Sequence, residues 1–376
     1  MSVYADHAAG TPTDPQIIAA MLPYLKESFG NPSSLHAYGR NSAEAIDEAR
    51  ETIAKYLNAQ SSEIYFTSSG TESNNIAILG VARANKNQGS KIVTTNIEHP
   101  SVLNSCRALE KDDFEVNYVK ALPNGLVDLL KLVAAVDDET ILVTIHLANS
   151  EIGVVQDIAS IASVVKKRNP NTLVHVDACQ ASSYLDLDVK KLGVDLLTFN
   201  GSKIYGPKGC AILYVRDGVN IFPIIYGGGQ EKSLRSGTEN VPGIVGLAKA
   251  VEIAKNNRIE DSKRVEALRD NLQLELEKIG LKINVKNSPR LPNHLSVTFP
   301  GLKNIDLVKK FDEEGIAVSA GSACSSKSLI ESHVLTAIGL SSEEASATIR
   351  ISLGRNTTEK DCQSIITATI KLLEGA

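Results

Sequence analysis

The chain has no tryptophan and only two methionines, and aromatic residues make up 5% of its 376 positions. Long apolar runs are missing as well: none approaches the roughly 18 residues that a membrane-spanning helix needs, so no membrane partner is expected. The opening Met1-Ser2-Val3-Tyr4-Ala5-Asp6-His7 carries no basic stretch ahead of an apolar one. A signal peptide is therefore not expected, and a cytoplasmic location is. Neither charge dominates, with 39 Lys and Arg against 44 Asp and Glu and a net charge of −5. That weak acidity argues against direct binding to nucleic acid. Cysteines are few, odd in number and scattered, at 106, 179, 210, 324 and 362. No pair forms C-x-x-C, so neither a disulfide framework nor a zinc knuckle is expected. His175 and Cys179 stand four apart but on a strand and its turn, so no metal site is expected within the chain.

What is present is the texture of a globular α/β protein of two or three domains. Between residues 60 and 215 short apolar runs alternate with helix-length segments. The runs begin at Ile64, Lys91, Glu115, Ile141, Leu173, Leu196 and Ala211, and helices are expected at 74–85 and 158–168. This alternation predicts a mostly parallel seven-stranded sheet covered on both faces, with ligands at the carboxyl ends of its strands. Beyond residue 240 the pattern changes to two helical stretches, 241–256 and 258–279, then strands near 294–299 and 348–353 with helices between and after them. A large domain over 16–255 and a smaller C-terminal α/β domain over 256–376, with residues 1–15 packed on it, is the expected organisation.

Three segments carry candidate chemistry. In Thr67-Ser68-Ser69-Gly70-Thr71-Glu72-Ser73-Asn74 a strand enters a small-residue turn and then a helix. Exposed N–H groups and the positive helix end suit a phosphate, although a plain Ser N-cap with a glycine turn would read the same. Asp177 ends the apolar run Leu173–Val176 and, once buried, needs a cationic or N–H partner. Lys203 stands just past the next strand, between Gly201 and Gly206, which leave room for a ligand there. A buried lysine amine is a nucleophile for carbonyl groups. Gly201-Ser202-Lys203-Ile204-Tyr205-Gly206-Pro207-Lys208 is not a P-loop, because Pro207 precedes Lys208 and no hydroxyl residue follows it. A phosphate cradle, a strand-end carboxylate and a strand-end lysine are what pyridoxal 5'-phosphate requires. His99, before Pro100, is placed either to stack on the ring or to begin a helix.

These segments resemble the cysteine desulfurases of the fold-type I, class V aminotransferase lineage, NifS-like enzymes. The resemblance runs through Tyr4–Ala9, Gly30–His36, Thr67–Asn75, Asn96–His99, Ala148–Gly153 and His175–Gln180. It continues through Lys203–Gly209, Gly227–Glu231, Arg235–Thr238, Ser319–Cys324 and Arg350–Arg355. It implies a fold-type I transferase acting as a homodimer. Lys203 would hold the cofactor, Asp177 meet the ring nitrogen, Gln180 the phenolic oxygen and His99 the ring face. Gly70, Thr71 and Ser202 would bind the phosphate, and Thr238 would reach the phosphate of the other subunit's cofactor. Ser202 stands where the family commonly has histidine, and its hydroxyl can still donate. Asn149 and Arg350 would hold the substrate carboxylate, a task that suits a guanidinium fork.

Cys324 is the implied sulfur acceptor, on a stretch of small polar residues, 319–329, expected to be a mobile loop. The implied reaction converts L-cysteine to L-alanine: Lys203 removes the α-proton, and the Cys324 thiolate attacks the substrate sulfur and keeps it as a persulfide. The sulfur then passes to an iron–sulfur scaffold or a tRNA-thiolating protein, and Cys324 is the residue offered to a cluster shared with such a scaffold. The buried, inert thiols are expected at Cys179 and Cys210. A selenocysteine lyase would share nearly every residue, an ordinary class V aminotransferase would not need Cys324, and a degenerate non-enzyme partner protein would carry no cofactor.

Overall fold

All seven apolar runs between residues 60 and 215 form strands, and the seven share one sheet. In the computed structural model, which describes residues 2–321 and 331–375, they are β1 Ile64–Thr67, β2 Lys91–Thr95, β3 Glu115–Val119, β4 Thr140–His146, β5 Leu173–Asp177, β6 Leu196–Asn200 and β7 Ala211–Val215. Their order across the sheet is β1-β7-β6-β5-β4-β2-β3. β2 through β6 are joined by parallel pairings, while β7 runs antiparallel to both β6 and β1. Consecutive residues point to opposite faces: Val143, Leu197 and Ile212 enter one core, and Leu142, Leu196 and Leu213 the other. Both neighbours are apolar because both faces are covered, which is why these strands read as unbroken apolar runs.

Helices α1 Pro15–Lys26 and α2 Ala37–Leu57 lie over the first face, and the helical run that begins with α3 Gly70–Asn75, together with α4 Pro100–Glu110, lies over the second. A separate three-stranded antiparallel sheet is centred on β8 His294–Thr298, flanked by β9 Thr348–Ser352 and by the short strand Lys282–Ile283. Its core contains Val297, Phe299, Phe311, Ile349 and Ile351. The start of the chain belongs here too: Val3–Tyr4 pairs in parallel with Ile316–Ala317, and Val3 and Ala5 are buried in this core.

One expectation is corrected. The two helical stretches 241–256 and 258–279 are a single 38-residue helix, α5 Val241–Lys278. It is capped by Asn240, whose side chain accepts from Gly243 N–H. Ile244, Leu247 and Val251 pack in the large core, and Val265, Leu272 and Leu276 in the smaller one, so the helix joins the two. Among the described residues no helix is long and apolar enough to cross a membrane, and no group of His, Cys, Asp and Glu could hold a metal ion.

Candidate active site

A cavity of about 240 Å³ opens at the carboxyl edge of the seven-stranded sheet. Asp177, the last residue of β5, lies in its wall and is 7% exposed. One carboxylate oxygen accepts from the Cys179 backbone N–H at 2.9 Å and the other from the Asn74 side-chain amide at 2.8 Å. Burial pushes this carboxyl up, but a charged His99, the Cys179 N–H and the Asn74 amide together bring it below its ordinary value. Burial lowers the His99 imidazole in turn, so at neutral pH the two N–H donors carry the effect. Asp177 is thus held as a carboxylate by N–H groups rather than by an arginine.

Lys203 reaches the same cavity because it stands three residues past Asn200, the carboxyl end of β6. A parallel β7 would send the chain back beneath the sheet; the antiparallel one keeps residues 201–210 at the carboxyl edge. Lys203 ends the short turn Gly201–Lys203 after β6, and its Nζ donates to the carbonyls of Ala8 at 2.7 Å and Ala9 at 2.5 Å. Gly201 and Gly206 do not leave space for a ligand, contrary to expectation. A Cβ on Gly201 would stand 2.7 Å from Pro207 O, and one on Gly206 would stand 3.0 Å from both Gly201 O and Ala250 Cβ. They are glycines because backbone packs against them.

At the third corner, Ser69, Gly70 and Thr71 line the cavity where α3 begins. Ser69 is an N-cap, its hydroxyl accepting from Glu72 N–H, so the plain cap and the cradle coexist. Gly70 admits no side chain, since a Cβ would lie 2.5 Å from Cys179 Sγ. His99 likewise combines its two readings: it caps α4, its Nδ1 accepting from Ser101 N–H at 3.1 Å, and its ring lines the cavity. Gln180 and Ser202 are lining residues too, with Gln180 Nε2 donating to Ala8 O and Ser202 Oγ to Asn200 Oδ1.

The remaining wall holds Asn149 and Arg350, both 3% exposed. Asn149 Nδ2 donates to Ile97 O, and its Oδ1 accepts from the N–H groups of Glu151 and Ile152. Arg350, on β9, donates to Ser150 O and to the Asp6 carboxylate, both at 2.7 Å, and among the described residues its buried Nε has no hydrogen-bond partner. Its backbone exchanges two hydrogen bonds with Ser319.

Of the expected site residues, Thr238 is not in this cavity; it is exposed and borders another cleft with Arg235 and Glu239. Cys324 lies outside the described residues, as does the rest of 322–329. The other four thiols are held protonated at neutral pH: burial pushes Cys106 and Cys210 up to about 12 and Cys362 to about 11, and holds Cys179 well above its ordinary value. Sequence reasoning missed Asn74, the partner of Asp177, and the pair Glu98–His146. Glu98 is fully buried, accepts from Thr95 Oγ1 at 2.6 Å and from His146 N–H at 2.8 Å, and lies 2.8 Å from His146 Nδ1. His146 ends β4 as Asp177 ends β5, and a polar residue closing an apolar strand was the available signal.

An amine, a fixed carboxylate and a helix start with free N–H donors around one cavity fit pyridoxal phosphate, and the orphaned Arg350 Nε fits an anionic substrate group. The comparisons agree. The model of the family "Aminotransferase class-V" matches residues 3–365. Cysteine desulfurase IscS of Clostridium botulinum is 42% identical, covering 99% of this chain and 94% of that protein. A solved NifS-like protein superposes with a TM-score of 0.95 at 40% identity over the whole of both chains. SspA, solved in complex with cysteine, gives a TM-score of 0.83 at 39% identity, covering 95% of this chain and all of that one. The chain therefore belongs to the class V aminotransferase family, within its pyridoxal-phosphate-dependent cysteine desulfurases.

Proposed function

We propose that this cavity converts L-cysteine to L-alanine, delivering the sulfur to Cys324 as a persulfide. The observation that supports it most is the convergence of Lys203, Asp177 and Arg350 on one cavity from two different sheets. When bound, pyridoxal phosphate supplies an electron sink for the substrate's α-carbon. Asp177, fixed by Asn74 and Cys179, keeps a ring nitrogen protonated. Lys203 anchors the cofactor and, once displaced by the substrate amine, moves the α-proton at its Nζ. His99 covers the ring face, Gln180 meets the phenolic oxygen, and Gly70, Thr71 and Ser202 hold the phosphate. Arg350 and Asn149 take the substrate carboxylate. The four other thiols are protonated at neutral pH and leave the nucleophile's task to Cys324.

The exposure of Thr238 outside this cavity suits a homodimer in which it reaches the partner subunit's cofactor phosphate. An iron–sulfur scaffold or tRNA-thiolating protein in the cytoplasm is the proposed recipient of the persulfide sulfur. Large and small domains meeting along α5 are the proposed organisation. The test is release of alanine and reducible sulfur from L-cysteine. Cys324→Ala is expected to abolish both while retaining bound cofactor. Full activity in that variant with a keto acid as acceptor would identify an aminotransferase instead, and preferential turnover of selenocysteine would identify a lyase for that substrate.

A further inference from the structure

Arg350 enters the cavity from the three-stranded sheet, Lys203 from the seven-stranded one, and residues 5–11 clasp the two together. On the Arg350 side, Ala5 O accepts from Ser352 N–H at 2.8 Å and His7 N–H donates to Ser352 O at 3.2 Å. On the Lys203 side, the Thr11 N–H and hydroxyl both donate to Ser202 O, and Thr11 Oγ1 accepts from Tyr205 N–H. Between these anchors the Ala8 and Ala9 carbonyls receive Lys203 Nζ.

Asp6 sits inside this clasp, its carboxylate 2.7 Å from Arg350 Nη2. The ion pair is largely dry, with Arg350 3% and Asp6 19% exposed at the side chain. Ser150 O takes Nη1. A guanidinium has N–H donors in a fixed planar fork, so two such anchors at different nitrogens fix its plane while leaving donors over. Nε is one of these, buried and, among the described residues, without a hydrogen-bond partner.

We propose that Asp6 is a positioning residue for substrate recognition: it holds the Arg350 fork in the orientation that receives the carboxylate of the amino-acid substrate. The proposal rests on the reading that Arg350 binds that carboxylate. Asp6 also balances the charge of Arg350 before substrate arrives, so the free enzyme holds no isolated buried cation. Recognition then depends on directed hydrogen bonds rather than on net attraction, and Asp6 governs their direction. Its carboxylate pairs with Arg350, which takes the substrate carboxylate, so its loss is expected to appear in binding more than in turnover.

The experiment compares cofactor-loaded wild type with Asp6→Asn and Asp6→Glu. It measures kcat and KM for L-cysteine and the affinity for two probes by the change in absorbance of the bound cofactor: L-alanine, which has the carboxylate, and cysteamine, which lacks it. Losing one charge-assisted hydrogen bond predicts roughly a 10- to 100-fold rise in both KM and the alanine dissociation constant for Asp6→Asn. The fall in kcat is expected to be much smaller than the rise in KM. Cofactor content and cysteamine affinity are expected to match wild type, the thermal midpoint to fall because Arg350 loses its counter-charge, and Asp6→Glu to recover part of both losses. Unchanged alanine affinity in Asp6→Asn, or equal weakening for cysteamine, would overturn the role of Asp6. Wild type that binds alanine no better than cysteamine would instead overturn the reading of Arg350, and the proposal with it.

Discussion

The two walls of the cavity are built by different means. On the seven-stranded side, Asp177, His146 and Lys203 lie at or just beyond the ends of adjacent strands, so the sheet itself sets their spacing. On the other side, Arg350 stands mid-strand in β9 and is held by Asp6, 344 residues away in the chain. The first wall is a consequence of topology, since any polar residue that closes one of these strands arrives at the ligand edge. The second is a consequence of docking, because its geometry exists only once the chain's start has packed against its end. A wall fixed by strand ends suits chemistry that tolerates little displacement; a wall assembled by docking suits recognition.

That division can be broken by experiment. The largest effect is expected at the strand-end wall: Asp177→Asn removes the charge that holds a ring proton and should lower kcat at least about 100-fold, with a much smaller change in KM. Steady-state kinetics on the loaded variant checks this. An effect mainly on KM, like that expected of Asp6→Asn, would erase the distinction between the walls.

A smaller effect compares the two regions as folded units. Each contains a fully buried histidine, His175 in the large sheet and His294 in the small one. Burial lowers them to about 4 and about 3, respectively. An unfolded histidine titrates near 6.5, so the unfolded chain takes up a proton that the folded chain refuses. Stability is therefore intact above pH 6.5 and falls as the pH drops from there toward 4 and 3. Each site should make the protein about 2 kcal/mol less stable at pH 5 than at pH 7. Urea unfolding at the two pH values, repeated with His175→Asn and His294→Asn, would show a flatter dependence in each variant if the account holds. Equal slopes in all three proteins would contradict it.

The strand-end wall was largely legible in the sequence, because a lone polar residue closing an apolar run is a local signal. Asp177 and Lys203 were found that way, and His146 carries the same mark after Ile145. Asn74 was harder to find: it belongs to the site only because the helix brings it round to Asp177, one turn beyond Gly70. Gly201 and Gly206 show the limit of composition, since a glycine that makes room for a ligand and one that makes room for backbone are spelled alike. The expected stretches 241–256 and 258–279 join through Asn256 and Asn257 in α5, since two asparagines cost a helix only fractions of a kcal/mol, which packing into two cores easily offsets. The ion pair of Asp6 and Arg350 had no local signal at all. Each residue was noticed within its own motif, and only the folded chain pairs them.

The central claim is that Lys203, carried to the ligand edge by the end of β6, anchors the cofactor. Borohydride reduction of the protein loaded with pyridoxal phosphate, followed by peptide mass spectrometry, tests this directly. The account predicts a pyridoxyl group on the peptide containing Lys203 and on no other lysine; an adduct elsewhere, or none, would contradict it.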